Sequence, residues 1–198
     1  MDPFLLSLAG FAVAMYITPG PNNVMVTTSA ANHGVRATVP HMLGINAGFS
    51  VMLVLVCGGL GVVLLSLPAL LRLMRWAGAA WLLWLAWKIA TAPPPGEGQA
   101  RTVLGFWGAA AFQWVNPKAW MIAVGAASQF LRADAPLGVQ LLRIFLVFLA
   151  VGLPCLLPWA LLGDAAGRLL HSPVRLRVFN VAMALLLVAS LVPLLWEG

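Results

Sequence analysis

Charge is what this sequence has least of. Only 8% of its 198 residues are Asp, Glu, Lys or Arg, just five of them acids, while 62% are hydrophobic and the mean hydropathy is +0.97. That balance excludes an ordinary water-soluble domain and describes an integral membrane protein. The scarcity of acids removes the usual buried Asp or Glu proton relay; Asp164 alone lies near an apolar segment. The two cysteines, Cys57 and Cys155, sit inside apolar runs without CxxC or metal-ligand spacing, so they read as small packing residues. HExxH, GxSxG, a phosphate-binding loop and Cys/His clusters are all missing, so no cofactor, no metal and no enzyme chemistry is expected. A net charge of +6 would suggest nucleic acid in a soluble chain, but here the cations are dispersed and flank apolar runs, so the bilayer is the expected partner.

What is present is hydrophobic length. Windows of about 20 apolar residues predict six spans, at 4–29, 39–65, 73–91, 103–131, 137–162 and 174–195, joined by short connections at 30–38, 66–72, 93–98, 132–136 and 163–173. Asp2 precedes the first apolar run and no basic segment leads it, so the first helix reads as retained rather than as a cleaved signal. The first, third and fifth connections with their helix ends carry Arg36, Lys88, Arg101, Arg168, Arg175 and Arg177, against Arg72, Arg75, Arg132 and Arg143 on the second and fourth. With Asp2 and Glu197 near the ends, the positive-inside rule places both termini outside.

Two of the predicted spans are interrupted. The first carries Thr18-Pro19-Gly20-Pro21-Asn22-Asn23, and the fourth carries Asn116-Pro117-Lys118 about half way along. A proline within a helix removes a hydrogen bond and clashes with the preceding turn, at roughly 3 kcal/mol. In lipid the freed groups need partners from protein or trapped water, so the breaks should face inward. Pro117 follows Pro19 by 98 positions, one less than half the chain. This predicts an all-α membrane domain over 1–198, built as a 3+3 inverted repeat with halves of about 1–92 and 99–198 and a linker at 93–98. Paired interrupted helices at matching positions mark a transporter's binding site.

Around the breaks, Asn22 and Asn23 are placed to cap the outgoing half-helix or to bond loosened backbone across from Asn116. Lys118 costs roughly 2.5–3.5 kcal/mol at mid-bilayer. It reads either as a structural cation on the carbonyls of the first break or as a charge that polarises a cavity. Gly44 and Gly48 form a GxxxG packing face, and Asn46 on it either bridges helices or reaches a ligand. Pro154 and Pro158 are expected to kink the fifth span, and His41 reads as an interfacial or satisfied histidine. Trp114 and Trp120 flank the second break, where they could line a cavity. Any proton carrier must be Lys118 or Asp164. Two other classes fit the breaks: a passive solute channel, and a structural membrane subunit in which they serve packing alone.

Thr18-Pro19-Gly20-Pro21-Asn22, His33-Gly34-x-Arg36, Gly44-x-x-x-Gly48 and Asn116-Pro117-Lys118-Ala119, in this order and spacing, resemble the LysE superfamily of amino-acid exporters over essentially the whole chain. The run Trp76-Ala77-Gly78-Ala79-Ala80, Trp84 to Thr91, Gly105-Phe106-Trp107 and Phe112-Gln113-Trp114-Val115-Asn116 looks especially like its cysteine and O-acetylserine branch. The resemblance implies a bacterial inner-membrane antiporter with six helices that exports small amino acids on the proton motive force, with a homodimer as one assembly it allows. It carries substrate-binding roles onto Thr18, Pro19, Gly20, Pro21 and Asn22 and onto Asn116, Pro117 and Lys118. Asn23, Asn46 and Gln113 join that set, although Gln113 departs from the Asn of many members. On this reading one zwitterionic substrate sits between the breaks, its carboxylate toward Lys118 and a helix N-terminus, its ammonium on freed carbonyls.

Overall fold

The computed structural model describes residues 2–92, 104–170 and 172–192. The predicted linker at 93–98, Arg101, Glu197 and the ends of the fourth and sixth predicted spans lie outside them. All regular structure among the described residues is helical. Helix α1 spans Pro3–Ile17, α2 Pro21–Leu55, α3 Gly61–Leu65, α4 Pro68–Ala90, α5 Phe106–Phe112, α6 Pro117–Phe130, α7 Leu137–Leu169 and α8 Pro173–Ala189. A π turn at Val56–Leu60 joins α2 to α3, and a 3-10 turn at Gln113–Val115 ends α5. Five of these helices open with proline in the first turn, where the missing N–H has no helical partner to lose. Asp2 caps α1 by accepting from the Phe4 N–H at 2.9 Å.

The predicted connection at 30–38 is absent as an open loop: α2 runs through it, bent at one residue. Gly34 has φ 80° and ψ 164°, a region essentially restricted to glycine. The bend is a reversal, because Thr38 Oγ1 donates to Ser29 Oγ at 3.1 Å, whereas nine residues of straight helix would separate them by about 13.5 Å. The stretch 21–64 would be about 66 Å long if straight, more than twice a hydrocarbon core of about 30 Å. Folding at Gly34 removes the excess length.

Helix α7 is the spine. Asp2 pairs with Arg143 at 3.6 Å, Phe11 packs on Phe148, the Thr27 hydroxyl donates to Trp159 O at 3.2 Å, and an added Cβ on Gly167 would meet Ala31 O at 2.2 Å. So α1 and 21–33 run along α7 in the same direction, as one interrupted rod. Past Gly34 the chain returns against α7, since Asn46 reaches Leu149 O while Gly58 approaches Leu141. A second interrupted rod follows this returning segment. A Cβ on Gly44 would sit 2.2 Å from Phe106 O and one on Gly48 2.5 Å from Ala110 Cα, and further along Cys57 Sγ faces Ala123 O at 3.9 Å. Gly44 and Gly48 are therefore close-packing residues as expected, and α7 has its own pair in Gly163 and Gly167, against Thr27 O and Ala31 O. With lipid outside, such close approach and its dispersion energy replace the hydrophobic effect as the main force between helices.

Helix α4 packs on α8 and closes on the second break, where Gly78 leaves room for Val115 O. Asn32 and Asn180 exchange amide hydrogen bonds of 2.8 and 2.9 Å. Helix α7 continues through Pro154 and Pro158, which do not divide it. His41 differs from its reading: it is fully buried, and neither ring nitrogen has a hydrogen-bond partner among the described residues. Cys57 and Cys155 are buried free thiols.

Candidate functional site

The two breaks meet. Helix α1 stops when Pro19 cannot continue it; the Thr18 N–H still reaches Ala14 O, and α2 restarts at Pro21 after an extended Gly20. In the second rod Asn116 leaves the helical region and caps α6, its Oδ1 accepting from the Lys118 N–H at 3.2 Å. Placing Lys118 in the first turn aims its side chain at the first break. There Nζ donates to Thr18 O and to Pro19 O, the latter at 3.3 Å. A cation on carbonyls at the C-terminal end of α1 is favoured by the helix dipole as well as by the hydrogen bonds.

The asparagines divide this work differently from the expectation. Asn23, not Asn22, serves the loosened backbone, its Nδ2 donating to Tyr16 O at 2.9 Å and to Thr18 O at 3.5 Å. Asn22 does not cap α2. It forms a reciprocal amide pair with Gln113, at 2.9 and 3.1 Å, and Gln113 also donates to Ala109 O at 2.9 Å. The cap position of α2 is Gly20, and the amide from the second rod lies within reach of Asn22, which is why it pairs across the breaks. Asn46 proves to be a bridge: it accepts from the Tyr16 hydroxyl at 3.1 Å and donates to Leu149 O at 2.9 Å.

Two spaces adjoin Lys118. A small cavity of about 30 Å³ is lined by Tyr16, Asn22, Asn23, Gln113, Asn116 and Phe49 among others, as well as by Lys118. That holds about one water. On the other side an open cleft of about 790 Å³ includes Thr18, Pro19, Gly20, Pro21, Pro117, Trp114 and Trp120 in its wall. The breaks' carbonyls thus face protein donors as predicted, while Thr18 and Pro19 themselves are exposed on that wall. Trp120 Nε1 donates to Trp114 O at 2.8 Å, holding the two rings on one rim. Asp164 is not part of the site. It lies beside the Gly34 reversal, bonded to Arg168 at 2.8 Å, and the α7 residue level with the first break is Gly152, twelve positions earlier.

Two lining residues were passed over in the sequence. Tyr16, the only tyrosine in the chain, is buried beside the break, and its position just before Thr-Pro-Gly-Pro was the available signal. Arg75 was counted only as a charge beside a loop, yet it lines the cleft with Lys118, half-buried and with no ion pair among the described residues. Its place about two turns inside α4 rather than at the helix end was the signal for it.

Interrupted apolar helices whose breaks share a lysine define a multi-pass membrane protein with a polar centre. Residues 13–197 match the model of the family described as LysE type translocator, and the chain belongs to that family. It is a transport protein rather than an enzyme. Cysteine/O-acetylserine efflux proteins of Escherichia coli (strain K12) and Shigella flexneri are each 35% identical to it over 190 residues, covering 95% of this chain and 96% of theirs. No solved structure matches the chain.

Proposed function

We propose that this protein exports a small amino acid or derivative, of the cysteine and O-acetylserine kind or another small neutral one, from the bacterial cytoplasm by proton-driven alternating access. The observation that carries the reading is Lys118, a membrane-embedded cation that reaches from one break onto the carbonyls of the other. Cysteine/O-acetylserine efflux in relatives similar along nearly the whole chain supports the substrate class. Thr18 and Pro19 carbonyls suit an ammonium. Lys118, the N-termini of α2 and α6, and Arg75 suit a carboxylate, and among the described residues no acid lines the cleft to oppose it. Drug-sized ligands occupy about 300–1,000 Å³, so the 790 Å³ cleft is wide for a small amino acid and serves as its vestibule.

The inverted repeat is supported by the way the rods pair. The first interrupted rod runs along α7, and the second runs along the segment after Gly34. These two partner segments are counterparts in the two halves, and they run antiparallel to each other. Six spans with an axis in the membrane plane account for both relations. Rocking of one half against the other would break and remake contacts at the shared lysine.

The test is uptake of labelled cysteine, O-acetylserine, threonine, leucine and lysine into inside-out vesicles under an imposed pH gradient. Wild type is expected to accumulate one small neutral species, saturably and only while the gradient stands. Lys118→Ala is expected to lose uptake at unchanged insertion, and Arg75→Gln to raise KM several-fold. Full activity in Lys118→Ala would defeat the reading. Non-saturable uptake insensitive to a protonophore would replace it with a channel.

A further inference from the structure

The carbonyl cradle at the first break already holds an ammonium, that of Lys118. An amino acid's α-ammonium offers the same three tetrahedral N–H donors as Lys118 Nζ. We infer that in the substrate-free protein Lys118 occupies the subsite of the substrate's ammonium, and that binding is an exchange in which the substrate takes the Thr18 and Pro19 carbonyls and the released lysine takes its carboxylate. This rests on the exporter reading above.

Three observations converge on it. The first is Gly20, whose φ of −179° is extended backbone that any residue adopts, so its conformation does not demand glycine. Its surroundings matter instead: a Cβ there would lie 2.7 Å from Lys118 Cδ and 3.2 Å from Nζ, so an added methyl would displace the flexible lysine stem. Gly20 keeps open the track along which the lysine stem reaches the carbonyls. Second, the small cavity beside Lys118 has too little room for any amino acid, whereas the adjoining cleft is ample, and Lys118 belongs to the wall of both. Lys118 is the one polar side chain on the wall they share, beside Met15 and Ile122. Third, Thr18 and Pro19 are exposed to the cleft, so an incoming ammonium can reach the carbonyls that Lys118 holds.

The exchange sets the specificity. A tethered amine competes at an effective concentration of about millimolar or above, so a free amine must offer something more than an ammonium to displace it. A simple amine would leave Lys118 as an unpaired cation against a mostly apolar wall. A zwitterion supplies the missing partner in its own carboxylate, and every charge ends paired. A carboxylate without an ammonium would empty the cradle. Zwitterions are therefore selected over amines and over acids by one side chain.

The chain has two lysines, which makes the exchange observable. Lys88 lies over the Trp84 ring on α4, at 4.6 Å from its centroid, and serves as the internal reference. The full-length protein in detergent, with ε-¹³C-lysine incorporated so that the ammonium groups stay unmodified, would be titrated with O-acetyl-L-serine, ethylamine and acetate while both lysine ε-methylene signals are followed by NMR. O-acetylserine is expected to move the Lys118 signal and leave that of Lys88 in place; ethylamine and acetate should move neither at the same concentrations. In Lys118→Ala the cradle is vacant, so ethylamine should raise the unfolding midpoint of this variant while leaving wild type unaffected. Gly20→Ala, which crowds the stem rather than removing the amine, should acquire part of the same ethylamine response and keeps the test open if Lys118→Ala fails to fold. Equal ethylamine stabilisation of wild type and both variants would overturn the proposal. Transport of O-acetylserine with an unmoved Lys118 signal would also overturn it while leaving the exporter reading intact. Ethylamine binding confined to the variants, with no amino acid transported by wild type, would uphold the cradle and remove the exporter.

Discussion

At the residue scale the site is held by amides whose partners lie across the breaks. Asn22 and Gln113 are 91 positions apart in sequence, and each completes the other's donor and acceptor. Truncating one strands a polar group in a region where water is scarce, at about 1–3 kcal/mol. Asn22→Ala and Gln113→Ala should each destabilise by about that amount, and the double variant by clearly less than their sum, with a coupling of about 0.5–3 kcal/mol. Unfolding of the four proteins in one detergent measures it. Additive losses would mean that the two amides do not pair. The sequence made these residues visible as polar groups in apolar runs, but not their pairing. Asn22 to Gln113 and Lys118 to Thr18 depend on how two rods cross, and no periodicity within either rod encodes that.

At the element scale the breaks and the change of direction were legible, but the build of the turn was not. Pro19, Pro21 and Pro117 announce where helices stop, because proline lacks a donor and clashes with the preceding turn. The reversal at Gly34 falls inside a stretch whose residues all accept helix, and only its positive φ distinguishes it. The predicted loop at 30–38 was thus right as a change of direction and wrong as open chain. The strain is in the backbone, since an added Cβ would meet nothing nearer than Asp164 Oδ1 at 3.6 Å. Gly34→Ala should therefore cost about 1–3 kcal/mol. Gly34→Asn should cost as much, because a ψ of 164° lies far from the left-handed helical region that asparagine tolerates. A thermal scan in detergent decides it; if Asn restored wild-type stability, the residue would be left-handed helical and the reversal differently built.

At the scale of the whole molecule, the reading turns on how often the chain crosses the bilayer. Among the described residues, length and apolar composition alone single out three long stretches, 21–64, 68–90 and 137–169, with α1 too short to qualify. On the six-span proposal the pairing along α7 changes that count, with α1 and 21–33 as one crossing and the return after Gly34 as another. The two counts predict different faces for the same residues. In six spans with both termini outside, Arg36 and Ser172 lie on the cytoplasmic side, whereas Ser66 and Asp134 lie on the opposite one. Single cysteines at these four positions, in a chain with Cys57→Ser and Cys155→Ala, can be labelled in intact cells by a membrane-impermeant maleimide. Positions 66 and 134 should react in intact cells, and 36 and 172 only after the membrane is opened. Labelling of 36 together with 66 would make 21–64 something other than a hairpin of spans, and would separate the halves that the shared lysine needs to join. The inverse pattern, with 36 and 172 reactive from outside, would keep the six spans and invert the protein. An exporter turned that way would present its cleft to the other compartment, and the vesicle assay would then show uptake in right-side-out vesicles.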